Sequence, residues 1–175
     1  MTTFFYILGA IILIIIILAM VAPKNYDVNR SIVINKPLKD VYNYLKLIKN
    51  QDNWSTWAEK DPNMKKTFTG NDGEVGFISA WVGNKDVGEG EQEITGFVEN
   101  EAVYSQLRFF KPWKSTSDAY LKVSKESGGT KVVWGFSGNN KFPVSIIMLF
   151  MNMDKVVGKD FEYGLNKLKG LLEIK

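Results

Sequence analysis

Apolar and polar positions follow three successive patterns along the chain. Residues 4–22 read FFYILGAIILIIIILAMVA, apolar or small at every position and free of charge. Nineteen residues of helix cover about 28 Å, close to the hydrocarbon thickness of a bilayer. Apolar and polar residues then alternate in short runs at 26–34, 64–69, 76–82, 88–99, 102–110, 119–124 and 131–137. This period of two predicts seven strands with one face buried. Asn71-Asp72-Gly73, Gly83-Asn84, Glu99-Asn100 and Ser127-Gly128-Gly129 separate the later runs as turns, and hairpin spacing predicts antiparallel pairing. Lys36-Pro37 opens a short helix after the first strand, with Val41, Tyr44, Leu45 and Ile48 at three- and four-residue steps, ending in a polar stretch at 49–53. Met153, Val157, Phe161, Leu165, Leu168 and Leu172 form the stripe of a long amphipathic helix. Residues 142–151 are too few for a second span and read as a short helix or an apolar loop closing one side.

The chain therefore divides at Pro23 into a transmembrane anchor, 1–23, and one domain, 24–175. A cleaved signal peptide would carry Lys or Arg before a shorter apolar run, and Met20 and Ala22 make a poor small-x-small cleavage site. Phe4, Phe5 and Tyr6 stand where an interfacial aromatic belt belongs, and Lys24, Arg30, Lys36 and Lys39 follow on the other side. The positive-inside bias predicts a single-pass membrane protein with its C-terminal domain facing the cytoplasm.

Composition narrows the chemistry. With no His and no Cys in 175 residues, there is no Ser-His-Asp or Cys-His nucleophile system, no zinc finger and no disulfide frame. The net charge of +3, without a basic run, gives no reason to invoke nucleic acid. No motif marks a catalytic residue, a metal site or a cofactor.

The order of elements describes an α+β fold: a curved seven-stranded antiparallel sheet wrapped around a long C-terminal helix, preceded by one transmembrane helix. One helix about 10 Å across does not fill a wide concave face, so a cavity is expected. Specific sequence words then enter, in order: Trp54-Ser55-Thr56-Trp57, Asp61-Pro62-Asn63-Met64-Lys65, Ala80-Trp81-Val82-Gly83-Asn84, Val87-Gly88-Glu89-Gly90, Gly129-Thr130-Lys131-Val132-Val133-Trp134 and Val157-Gly158-Lys159-Asp160-Phe161-Glu162-Tyr163-Gly164-Leu165. Together they resemble the polyketide cyclase/dehydrase-like branch of the SRPBCC superfamily, whose helix-grip fold is shared with START lipid-transfer domains and the birch pollen allergen. The resemblance covers about residue 26 to the end. It implies a hydrophobic ligand cavity, and many relatives of this branch carry an N-terminal span.

Candidate ligand-binding residues follow. Trp57, Trp81 and Trp134 are candidates to line a cavity, the alternative being core or rim aromatics. Arg108 is a candidate anion partner, for an internal Glu or a ligand head group, against an exposed strand position. Met148 and Met151 offer a soft apolar gate, and Phe161 lies on the inward stripe of the last helix. Glu89, Glu91 and Glu93 share one strand face, either solvated or raised in pKa inside the cavity. Gly158, Gly164 and Gly170 imply close approach of helix to sheet, or room for a ligand. The reading is a membrane-anchored domain that binds a hydrophobic small molecule or lipid in an internal cavity. A cyclase- or dehydratase-type enzyme using carboxylate, Lys or Tyr acid-base chemistry, and a protein-interaction module, stand beside it as alternatives.

Overall fold

The computed structural model describes residues 2–140, 142–150 and 152–174. Helix α1 (Thr2–Val21) is long and apolar enough to cross a membrane, and none of its residues is buried by the rest of the protein. Ala22, just past its end, is buried, and only Pro23 and Lys24 separate it from strand β1 (Asn25–Ile34). Next come α2 (Leu38–Lys46), a 3-10 turn (Ile48–Asn53) and α3 (Thr56–Lys60). Pro37 precedes α2, where a missing N–H and a fixed φ cost nothing. The Asp72 carboxylate accepts from the Ile48 and Lys49 N–H groups at 2.8 and 3.0 Å, satisfying the start of the 3-10 turn from a distant hairpin.

Strands β2 (Lys65–Thr69), β3 (Ile78–Val82), β4 (Glu89–Val98), β5 (Ala102–Lys111), β6 (Ser115–Glu126) and β7 (Gly129–Asn139) follow, then α4 (Val144–Met148) and α5 (Met153–Ile174). The sheet has seven strands, all antiparallel, in the order β1-β7-β6-β5-β4-β3-β2. All seven expected strands are present. The largest difference is β6, which begins at Ser115 rather than 119, because its polar start pairs with β5 on one side and, from Ser117, with β7 on the other. Backbone pairing from two neighbours needs no apolar side chains. The 142–151 segment contains a short helix, and Met151 lies outside the described residues.

Register assigns the faces. Val28, Phe136, Ala119 and Ser105 align across four strands on the concave side, as do Arg30, Trp134, Leu121 and Val103. Helix α2 packs Val41, Tyr42 and Leu45 onto this face, while α5 lies over β1 and reaches β7. Arg30 fastens α5 to the edge strand: its guanidinium donates to Asp154 at 2.8 and 3.0 Å and to Glu162 at 2.6 Å. A methyl group added at Gly158 would collide with that guanidinium, and one at Gly164 would come 2.9 Å from the Trp134 ring and 3.2 Å from the Trp54 carbonyl oxygen. Close approach of helix to sheet therefore explains these two glycines, whereas Gly170 faces open space. Gly158→Ala is expected to displace Arg30 and lower Tm by a few degrees, because the obstructing atoms end a flexible side chain and can move.

Arg30 beside Asp154 holds that carboxyl below the usual carboxylate range. The folded-state value lies under the unfolded one, so the contribution is present above the ordinary carboxylate range and is lost as pH falls through the folded-state value. Thermal melts of wild type and Asp154→Asn are expected to differ at neutral pH and to converge as pH falls through the lowered Asp154 value. A difference unchanged at low pH would contradict the ion-pair account.

Candidate functional site

The concave face has a filled part and a half-open part. Under α5 the space is closed by aromatic rings: Trp134 stacks on Phe161 at 4.3 Å between centroids, and Trp54 and Trp57 meet Trp134 edge-on at 4.7 and 5.7 Å. Phe136 adds an edge to Phe161 at 5.8 Å. Trp134 and Phe161, expected to line a cavity, are instead buried core residues. The physical reason is the missing Cβ at Gly164, which lets the helix descend until the rings touch. Trp57 sits at the border: it packs on this cluster yet remains partly exposed.

Toward β3, β4 and β5 the cover thins. Trp81, Gly90 and Phe109 align across three strands, and beside them run Ser79, Gln92, Leu107 and Ser117. Trp81, Gln92, Leu107 and Phe109 are all half-buried. The Trp81 indole lies across Gly90 and meets the Phe109 ring edge-on at 5.9 Å. Its Nε1–H is buried and, among the described residues, has no hydrogen-bond acceptor. Nearby, Gln92 donates to Ser105 Oγ at 2.9 Å, and the Tyr26 and Ser117 hydroxyls share a bond of 2.7 Å, while the Trp54 Nε1–H in the filled part is, like that of Trp81, buried and unmatched. Burial pushes the Tyr26 phenol above its ordinary value, which keeps it neutral. The result is a half-open stretch of the concave face, called the groove below, with an apolar floor, a neutral lining and the unmatched Trp81 donor.

Topology orients this groove. Trp81 and Phe109 lie near the C-terminal ends of β3 and β5, Gly90 near the start of β4, and Tyr26 near the start of β1. In an antiparallel sheet these positions share one end, and α1 leaves from that end.

Arg108 does not join the groove. It alternates with Leu107 and Phe109 and so projects from the convex face, where Glu91 and Glu93 accept from its guanidinium at 2.5 and 2.6 Å. The two carboxylates raise its pKa further, so it is fixed as a cation with its partners in place. Glu89 pairs with Lys111 on the same convex face at 2.7 Å. The acidic row is thus a salt-bridged outer surface, not a source of acid in the groove. Met148 lies on α4, partly buried. Two solvent-open depressions lie elsewhere: about 340 Å³ between α3 and α5, lined by Thr56, Glu59, Lys60, Asp160 and Tyr163, and about 150 Å³ beside Lys36, Asp40, Val41 and Leu172. Among the described residues no group of three acidic side chains is placed to hold a metal.

Gln92, Leu107, Phe109 and Gly90 were not singled out from sequence, although one signal was available. Apolar Leu107 and Phe109 flank Arg108, so parity alone put them on the face opposite the charge.

No family model matches the chain, and no curated protein matches it. Solved structures do. An uncharacterised protein of Rhizobium leguminosarum superposes with a TM-score of 0.61 at 14% identity, over 87% of this chain and 97% of its own. The major latex-like protein 151 of Panax ginseng gives 0.60 at 11% identity, over 85% and 97%. The di-domain aromatase/cyclase StfQ of the steffimycin biosynthetic pathway gives 0.61 at 9% identity, over 84% of this chain and 50% of StfQ. With its antiparallel seven-stranded sheet, its long C-terminal helix and these neighbours, the chain has the helix-grip fold of the SRPBCC type, preceded by an apolar N-terminal helix.

Proposed function

We propose that this chain is a membrane-anchored binding module that takes an apolar molecule, a lipid or a hydrophobic small molecule, along the half-open side of its concave face. One observation carries the reading: the groove of Trp81, Leu107 and Phe109 holds a buried, unmatched indole N–H and lies at the end of the sheet from which α1 leaves. Burial of apolar ligand surface, about 25 cal/mol per Å², drives binding, and the Trp81 N–H orients a polar end. Trp57 on α3 forms one border, and Met148 on α4 is a candidate soft apolar contact for the ligand. The short connection from α1 supports the choice of ligand, since a molecule leaving the bilayer reaches the groove without crossing much water.

Native mass spectrometry of the full chain, purified in a non-lipid detergent, tests this. A recurrent lipid-like adduct is expected, with occupancy falling about 2- to 10-fold in Trp81→Phe, the range for one neutral hydrogen bond. A chain that is empty in every preparation overturns the proposal and favours the protein-interaction reading.

The domain faces the cytoplasm in this reading, from the basic residues that follow α1. Because the protein has no Cys, Ser127→Cys in the exposed turn between β6 and β7 provides a single reporter. In intact cells a membrane-impermeant maleimide is expected to label it only after permeabilisation. Labelling without permeabilisation reverses the assigned topology.

A further inference from the structure

Only two residues, Pro23 and Lys24, connect Ala22 to the sheet, a reach of about 7 Å at full extension. Twenty residues of α1 cover about 30 Å, the full hydrocarbon thickness, so the connection ends inside the polar headgroup layer, which adds about 5–8 Å on each side. The α1 end of the sheet then has to lie in that layer. Two of the connections at this end carry exposed apolar side chains. One is the β5–β6 turn, where Trp113 is 76% exposed and Phe110 just before it is 45% exposed. The other is the segment carrying α4, where Phe142 is 64%, Ile147 52% and Phe150 79% exposed. The Asn140 N–H donates to the Lys24 carbonyl at 2.7 Å, and α4 itself packs against α1, which places the second loop beside the span.

Exposed aromatic and aliphatic side chains on two separate loops at one end of a domain are not the scattered apolar residues that any surface has. Lys111 and Lys114 flank Trp113, giving the mixture of indole and ammonium that favours a bilayer interface. We propose that Phe110, Trp113, Phe142, Ile147 and Phe150 form a second membrane contact, inserting into the phospholipid headgroup and upper acyl region of the bilayer that α1 spans. This contact would hold the domain upright, with the Trp81 groove opening toward the lipid rather than away from it. The inference rests on α1 crossing the bilayer but needs no ligand in the groove.

The absence of Cys makes a depth measurement direct. Single-Cys versions of the full chain at Trp113, Phe150, Ser127 and Ile12, each carrying an environment-sensitive fluorophore, are reconstituted in phosphatidylcholine/phosphatidylglycerol vesicles. Lipids with quenchers at shallow or central depths are then compared with aqueous iodide. Labels at Trp113 and Phe150 are expected to be quenched at least about twofold more by shallow lipid quenchers than the label at Ser127, and to be protected from iodide. The Ile12 label reports on the anchor separately, through quenchers at the bilayer centre. Quenching at Ile12 with iodide access at Trp113 and Phe150 equal to that at Ser127 overturns the second contact and leaves the anchor standing. Loss of central quenching at Ile12 overturns the anchor, and the second contact with it. Because labelling replaces the side chains under test, a second measurement keeps them: wild type and Trp113→Ala/Phe150→Ala are compared with the label at Val82, a half-exposed position at the same sheet end. Iodide access at Val82 is expected to rise about twofold in the double variant, and no change contradicts the proposal.

Discussion

Trp134→Ala is expected to lower the unfolding free energy by about 3–5 kcal/mol, the largest loss from any single substitution in the sheet. The indole is 6% exposed and is the shared partner of Trp54, Trp57 and Phe161, so its removal empties the centre of the α5–sheet junction. The surrounding rings cannot collapse into the space, because β7 is held in register by β1 and β6 on either side and α5 is fastened to β1 through Arg30. Lost transfer energy and an unrelaxed cavity therefore add. Denaturant unfolding of the full chain in detergent measures the effect, and Trp134→Phe is expected to cost markedly less because it keeps a ring against Phe161. A loss below about 1 kcal/mol for the alanine variant would mean that the cluster is loosely packed, and would revive Trp134 as a cavity wall.

Gly90→Ala is expected to damage stability and binding together. A Cβ at this position would come 2.5 Å from the Arg108 carbonyl oxygen and 2.6 Å from the Trp81 ring. The obstruction differs in kind from that at Gly158, where the atoms in the way can swing aside. Here the carbonyl belongs to β5, which is paired on both edges, so either the strand shifts or the ladder opens, at a cost of about 1–3 kcal/mol. The indole is pushed off its seat over Gly90, and its N–H no longer points where the folded protein holds it. Adduct occupancy in native mass spectra is expected to fall about tenfold, with a shift in tryptophan emission. Unchanged occupancy with a displaced Trp81 separates the ligand from this groove and sends the search for its site elsewhere. Gly→Ala at Gly96, where a Cβ meets nothing within 4 Å, serves as the control on the same strand.

The distribution of polar groups across the sheet bears on what the groove does. Its acids and its central arginine occupy the convex side, while the concave side holds Ser79, Gln92, Ser105, Ser117 and the neutral Tyr26. A neutral, mostly matched lining suits a ligand recognised by shape and apolar area, with a single directional contact.

How much of this was legible in the residues follows from period. Alternation over short runs settled the number of strands and their pairing sense, because only a strand puts every second side chain on one face, and the uncharged N-terminal run settled that a helix could cross a bilayer. Alternation also says which residues share a face, and Leu107-Arg108-Phe109 already separated the charge from the apolar pair. It does not say which part of that face a helix will cover. Trp81 and Trp134 are the same residue type on the same face of the sheet, and one is half-open while the other is sealed in a ring cluster. Their difference was decided by α5, which docks on β1 and β7 rather than on β3 and β4, at a height set by Gly158, Gly164 and the Arg30 ion pairs. Those are contacts between residues 30 to more than a hundred positions apart, and a local period carries no information about them.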